Sequence, residues 1–287
     1  MQVIKNPIFI YLAIFKIILA FSFSSQLSSD LFLPFLNSVT YENWNPWQVF
    51  YEKGKLDSFP YHGLMFFLLV PFSYLGELVG LGEFLIKVPS LLADIGILVI
   101  FSKLFPNSEN KVLFYYFFNP IIIYSTYIHS QLDIIPTAFL FGSIYFLTIE
   151  KIRTSSLFFG FALATKIHVI IILPLIVLYL LKRFSILKIF RYFLIILIIF
   201  LLFDFPFIFS EGFFHMVINN QKQTLLFDTF HNSSGNLNLL YPIAAIIIVF
   251  FHSVNQIKLN YDIIFFYCGI LFTSLIFFIY PSPAWYV

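Results

Sequence analysis

The sequence predicts an all-α fold, a polytopic membrane helical bundle of about nine transmembrane segments. Three observations lead there. Hydrophobic residues make up 60% of the chain and charged residues only 10%, against roughly 25% charged in a soluble domain. A mean hydropathy of +0.93 describes apolar surface that a water-soluble fold cannot hide, so lipid must be the solvent. Apolar runs then recur near the length a bilayer core demands, about 20 residues per helix. They fall at 7–28, 61–81, 83–104, 112–128, 134–149, 156–181, 192–210, 237–252 and 262–280.

Taken in order, the run at 7–28 follows Lys5 in the manner of a signal peptide, but no small-x-small cleavage site follows and many more apolar runs do, so it reads as a retained first helix. The longest polar stretch, 29–60, comes next; its Trp44 and Trp47 are read as interfacial anchors. Lys87 and Asp94 flank the start of the third run, and Asp94 lies deep enough in hydrocarbon to need a partner. Asn119-Pro120 marks a kink in the fourth. A second polar stretch, 211–236, holds His215, Lys222, Asp228 and His231. The single cysteine, Cys268, excludes an internal disulfide and Cys-based metal chemistry. A net charge of +2 gives no reason to expect nucleic acid. The short connections leave room for one transmembrane domain, 1–287, with outer loops at about 29–60 and 211–236.

Basic residues favour the cytoplasmic side. Lys5 and the cluster Lys182, Arg183, Lys188 and Arg191 agree if every segment crosses once. The smaller basic loops Lys103…Lys111 and Lys151…Arg153 disagree with that count. They fall inside only if 61–81 and 156–181 fold back without crossing, which Pro71 and Lys166-Ile167-His168 would permit. Both arrangements keep the two polar stretches outside and differ over the side of 128–134.

Ionisable groups at membrane depth cost roughly 2.5–3.5 kcal/mol each on insertion scales and tend to mark function. Asp30, closing the first helix, reads either as a solvated residue or as a carboxylate that takes a proton from an attacking hydroxyl. Asp57, after Lys53 and Lys55, reads similarly. His129, Gln131 and Asp133 form a polar cluster between apolar helices, suited to a sugar or a metal, or to a simple polar turn. Lys166, with His168 beside it, interrupts an apolar run and calls for a bound anion, most naturally phosphate, or an internal Asp. No phosphate-binding glycine loop, His-Glu-x-x-His or nucleophile elbow is present.

The arrangement resembles the GT-C superfamily of membrane glycosyltransferases, which use lipid-linked sugars. Four pieces carry the resemblance: Ser29-Asp30 at the exit of helix one; the following loop with Asn45-Pro46-Trp47 and Phe59-Pro60-Tyr61; Asn119-Pro120 with His129-Ser130-Gln131-Leu132-Asp133; and Ala164-Thr165-Lys166 followed by Leu173-Pro174. The closing Pro281-Ser282-Pro283-Ala284-Trp285-Tyr286 looks like the Pro-x-Pro-Gly-Trp-Tyr ending of mannosyltransferase-like members, with Ala284 in place of the glycine. The resemblance implies a large outer loop after helix 1 that supplies the catalytic carboxylate, matched here by Asp30 with Asp57 second. It implies a polyprenyl-phosphate or dolichyl-phosphate sugar donor and a lipid-linked or glycan acceptor, with Lys53, Lys55, His129, Gln131, Asp133, Lys166, His168 and Trp285 as candidate binding residues. No metal ligand set is identified, and a divalent cation remains the one cofactor admitted. The location implied is the cell membrane, or the endoplasmic reticulum in a eukaryote. Members continue beyond the Trp-Tyr motif whereas this chain stops at Val287, which implies a C-terminally shortened chain. Residue chemistry alone also admits a transporter or lipid flippase, or a non-catalytic membrane subunit.

Overall fold

The computed structural model describes residues 3–39 and 43–220, together with the single residue Ile247. Among the described residues the regular elements are all helices and turns of helix. Seven are long: α1 (Pro7–Ser22), α2 (Gly63–Val79), α3 (Val88–Leu104), α4 (Ile134–Thr148), α5 (Ile152–Thr165), α6 (Leu173–Arg183) and α7 (Ile186–Asp204). Two stretches are clearly long and apolar enough to span a bilayer, Gly82–Leu104 with 23 residues and Ile186–Asp204 with 19. A third is a bent pair, Pro7–Ser22 and Leu27–Asn37, turned by 63°. The remaining apolar helices are shorter, so the count of about nine spans is not matched helix for helix, and 237–252 and 262–280 fall outside the described residues.

Local chemistry explains where these helices start and break. Asn6 accepts the Ile8 N–H at 3.0 Å and Pro7 fills the first helical position, a standard N-terminal arrangement. The run 112–128 is not one helix. It breaks at Phe118–Asn119, where Asn119 caps a fresh start at Pro120 by accepting from Ile121 N–H at 2.9 Å. The run 156–181 breaks at Lys166, whose backbone is extended (φ −156°, ψ 123°), and Ile167–Ile172 then forms a tight helical turn before α6. Pro71 breaks nothing: α2 runs through it and ends at Gly80, in the left-handed conformation at φ 70°.

The polar stretch 29–60 is folded rather than loose. Asn45 and Pro46 start the short helix Pro46–Glu52, which delivers Trp47 into an aromatic core. Trp47 is fully buried, its ring 4.5 Å from Phe207 and 5.1 Å from Phe213, and its Nε1 donates to Phe59 O at 3.2 Å. Phe35 stacks on Phe59 at 4.7 Å. Burying about 200 Å² of such a ring at about 25 cal/mol/Å² stabilises by roughly 5 kcal/mol before entropy is subtracted. Trp47 is therefore a core residue and not the interfacial anchor its type suggested, whereas Trp44 is more than half exposed. The described start of the second polar stretch, 211–220, packs directly on the first. Gly212 N–H donates to Gln48 Oε1 at 3.0 Å, His215 stacks on Tyr51 at 5.1 Å, and a Cβ at Gly212 would lie 2.4 Å from Trp47 O.

Contacts sort the helices into two ends. At one, Lys87 Nζ donates to Ala20 O, Phe23 O and Tyr127 O at 3.1, 2.5 and 3.3 Å. That ties the last carbonyls of α1 to the start of α3 and the end of the broken 112–128 run, a cation where a helix C-terminus favours one. His62 N–H donates to Thr165 O at 3.2 Å at this same end. At the other, Asn6 bonds Asn110 at 2.8 Å, Lys103 lies over the Tyr145 ring at 5.5 Å, and Arg183 meets Glu150 at 3.8 Å. All four basic loops thus share one end, as the fold-back arrangement requires and one crossing per segment does not allow. The 156–181 run folds back as α5 out and α6 in. The helix α2 stays at the first end, with Gly63 against Asp204, Ser73 hydrogen-bonded to Asn37, and Gly82 beyond it against Leu33. The turn 128–134 lies at that end with the polar stretch.

Candidate functional site

Among the described residues three ion pairs are buried or half-buried, and they differ in how open they are to solvent. The deepest joins Lys16 of α1 to Asp94 of α3 at 2.5 Å, both side chains fully buried. Asp94 also accepts from Tyr127 Oη at 2.6 Å and Tyr116 Oη at 2.8 Å. Lys16 Nζ sits 3.6 Å from the centre of the Phe117 ring. Every charge is met inside the bundle, so the partner that Asp94 demanded is structural: a buried helix–helix bond.

The second pair closes the polar stretch. His62 Nδ1 lies 2.7 Å from Asp204 Oδ2, and Asp204 Oδ1 accepts Gly63 N–H at 2.8 Å. The close approach demands glycine, because a Cβ on Gly63 would fall 2.1 Å from Phe203 O. Through His62 N–H on Thr165 O, this pair fixes the backbone just ahead of Lys166.

The third pair is the candidate site. Lys166 Nζ lies 2.5 Å from Asp133 Oδ1, with side chains 13% and 35% exposed, and the Tyr61 ring is 5.4 Å from the ammonium. Because α5 ends here and the chain turns back, the lysine sits at a helix break and not on a lipid-facing helix. The two sequence turns that carry this pair also hold two buried polar atoms with no protein partner, Ser130 Oγ on the Asp133 side and His168 Nδ1 on the Lys166 side. The His168 ring is within electrostatic reach of Lys166, Asp133 and His62. Ser130 is held at φ 61°, a left-handed conformation uncommon outside glycine. A cation, a carboxylate, an imidazole and a hydroxyl thus converge at one end of the bundle, a set suited to the phosphate and hydroxyl groups of a polar ligand.

The other sequence candidates divide. His129 and Gln131 sit on the same turn: His129 stacks on Tyr124 at 6.0 Å, and Gln131 N–H donates to Ser125 O at 2.8 Å. Asp30 is exposed and accepts from Ser29 Oγ at 2.7 Å. It reaches the site region only indirectly, through Phe32, whose ring packs on Tyr61 at 5.9 Å. Asp57 is exposed on the polar stretch, and the Lys53 and Lys55 ammonium groups lie 5.6 and 5.9 Å from the centre of the Phe50 ring. Trp285, with Lys222, Asp228, His231 and Cys268, lies outside the described residues. No cluster of three or more metal-ligating side chains occurs among the described residues. Sequence reasoning missed Lys16, His62 and Asp204. The signal for Asp204 was available, a carboxylate inside the apolar run 192–210.

A helical bundle with two clear apolar spans and a cluster of polar and charged side chains at one end fits a membrane protein. Within it, residues 94–231, a little under half of the chain, match a family model described as ALG3 protein. The chain is similar to that family over a stretch that contains Asp133, Lys166, His168 and Asp204. The match supports a membrane glycosyltransferase, an enzyme of glycan biosynthesis. Nothing among curated proteins or solved structures matches the chain.

Proposed function

We propose that this protein is an inverting glycosyltransferase that moves a mannosyl group from a dolichyl- or polyprenyl-phosphate carrier to a lipid-linked oligosaccharide. The similarity over 94–231 to a dolichyl-phosphate-mannose-dependent family carries this reading. The Lys166 group supports it, because a cation at a helix break on the ligand-facing end suits a phosphate leaving group. In the reaction, Asp30 takes the proton of the acceptor hydroxyl while that oxygen attacks the anomeric carbon. The bond between the anomeric carbon and the phosphate oxygen breaks, and its electron pair leaves on the carrier phosphate. Lys166 balances that charge, with His129, Gln131 and His168 around it, and Lys53 and Lys55 at the rim. Asp57 is the second choice for the base.

With the basic end placed on the cytoplasmic side, the site faces the opposite compartment, which for a dolichyl-linked pathway is the interior of the endoplasmic reticulum. The test is transfer by the purified chain from a panel of lipid-linked sugars. Asp30→Asn is expected to retain its fold and lose about 10²–10⁴-fold in rate, the usual worth of a general base. Wild-type rates in a folded Asp30→Asn protein would remove Asp30 from the mechanism and shift attention to Asp57.

A further inference from the structure

We infer that Asp133 is a displaceable counter-ion: it occupies the place on Lys166 that a ligand phosphate takes, and by returning there it helps expel the spent carrier. The inference rests on the reading of Lys166 as the phosphate anchor. It goes further by giving Asp133 a role opposed to binding.

The two members of the pair are held very differently. Lys166 is fixed through its backbone, whose N–H donates to Ala162 O at 3.0 Å. Its extended backbone follows Thr165, whose carbonyl is bonded by His62, itself held by Asp204. The Asp133 backbone is also fixed, its carbonyl accepting from Thr137 N–H at 3.2 Å and Thr137 Oγ1 at 2.7 Å. The Asp133 carboxylate, however, is about one-third exposed and its ion pair is with Lys166. The pair is open to solvent on its carboxylate side, so an incoming anion can compete there for the ammonium. A carboxylate carries one negative charge, whereas a phosphate monoester carries about −1.5 to −2. A sugar phosphodiester carries only one, so cleavage of the donor raises the charge of the group held by Lys166. A monoester would then be the more tightly retained species, and a competing carboxylate beside the lysine favours its release.

The experiment measures binding of farnesyl phosphate and of inorganic phosphate to detergent-solubilised wild type, Asp133→Asn and Lys166→Gln by titration calorimetry. Asp133→Asn is expected to bind phosphate about two- to fivefold tighter, and Lys166→Gln to bind it more weakly. A larger gain with farnesyl phosphate than with inorganic phosphate assigns the lipid carrier as the source; equal gains assign a general phosphate site. Asp133→Asn binding no tighter than wild type, with Lys166→Gln weakened, overturns the displacement while leaving the phosphate anchor in place. Lys166→Gln binding as well as wild type overturns both. A measurement on the wild type covers the case of a poorly folded variant. Carbodiimide labelling of Asp133, mapped by mass spectrometry, should rise when farnesyl phosphate is added, and unchanged or reduced labelling overturns the inference.

Discussion

Lys16 and Asp94 meet at 2.5 Å inside the bundle, and Lys166 and Asp133 meet at the same separation at the end that carries the polar stretch. The distance is shared; the surroundings are not. Asp94 is saturated by an ammonium and two tyrosine hydroxyls and is fully buried. Asp133 is partly open, beside a buried hydroxyl and an imidazole nitrogen that have no protein partner. The difference teaches that a charge pair in a membrane bundle is sorted by what else each partner bonds to, and not by its separation. A complete set of partners makes a staple. An incomplete one leaves a site.

The largest expected effect follows from removing one side of the staple. Asp94→Ala leaves an uncompensated ammonium in a dry interior and is expected to cost about 3–5 kcal/mol, read by thermal or denaturant unfolding in micelles. Replacing both partners, Lys16→Met with Asp94→Leu, should recover only the share due to the stranded ammonium, because the Tyr127 and Tyr116 hydroxyls still lose their carboxylate acceptor. If Asp133→Ala proved as costly as Asp94→Ala, the contrast between the two pairs would be lost.

The His62–Asp204 pair should fall between them. Asp204→Ala removes the acceptor for a buried imidazole and for Gly63 N–H, and an unmet buried donor costs about 1–3 kcal/mol. Because this pair fixes the backbone ahead of Lys166, loss of transfer should exceed what the unfolded fraction explains at the assay temperature. Activity falling only in step with the folded fraction would make the pair purely structural.

How much of this was legible beforehand depended on the residue. A lone carboxylate in hydrocarbon announces that it needs a partner, and Asp94 did so. Which partner it has depends on how α1 and α3 pack, and no local pattern in 7–28 selects Lys16. The helix break at Lys166 was legible because a lysine inside an apolar run is otherwise untenable; the sequence called for an anion or an internal Asp there, and the packing of the 128–134 turn makes Asp133 that partner. Asp204 sent the same signal as Asp94 and was passed over at the end of its run. The side of 128–134 was illegible from charge counts alone, because two loops voted against two others. Only the contacts of Lys87 and Arg183 sorted the ends. Trp47 was misread because tryptophan type is the same for an anchor and a core residue; its burial depends on Phe207 and Phe213, over 150 residues away.

At the labile pair, stability and activity should separate. Lys166→Gln is expected to change unfolding by no more than about 1 kcal/mol yet slow transfer by about 10²–10³-fold, the scale for losing one group that stabilises developing charge. Lys166→Arg keeps the charge and should recover part of the rate. A Lys166→Gln protein that is strongly destabilised would place this pair with Lys16–Asp94 and erase the functional contrast.

The smallest effect belongs to the most exposed pair. Arg183 and Glu150 stand 3.8 Å apart with side chains 39% and 66% exposed, so Glu150→Gln should shift stability by no more than about 0.5 kcal/mol. Glu150 adds a sharper test, because its backbone sits at φ 61°, a conformation that strains residues bearing a Cβ and suits glycine. Glu150→Gly deletes the same pair and relieves that strain, so it is expected to raise stability by about 0.5 kcal/mol. Arg183 also lies 4.9 Å from the Tyr179 ring centre, so Arg183→Gln should cost more than Glu150→Gln through lost packing. If Glu150→Gly instead destabilised the protein, the ion pair would outweigh the backbone, and exposure alone would not rank the charge pairs of this chain.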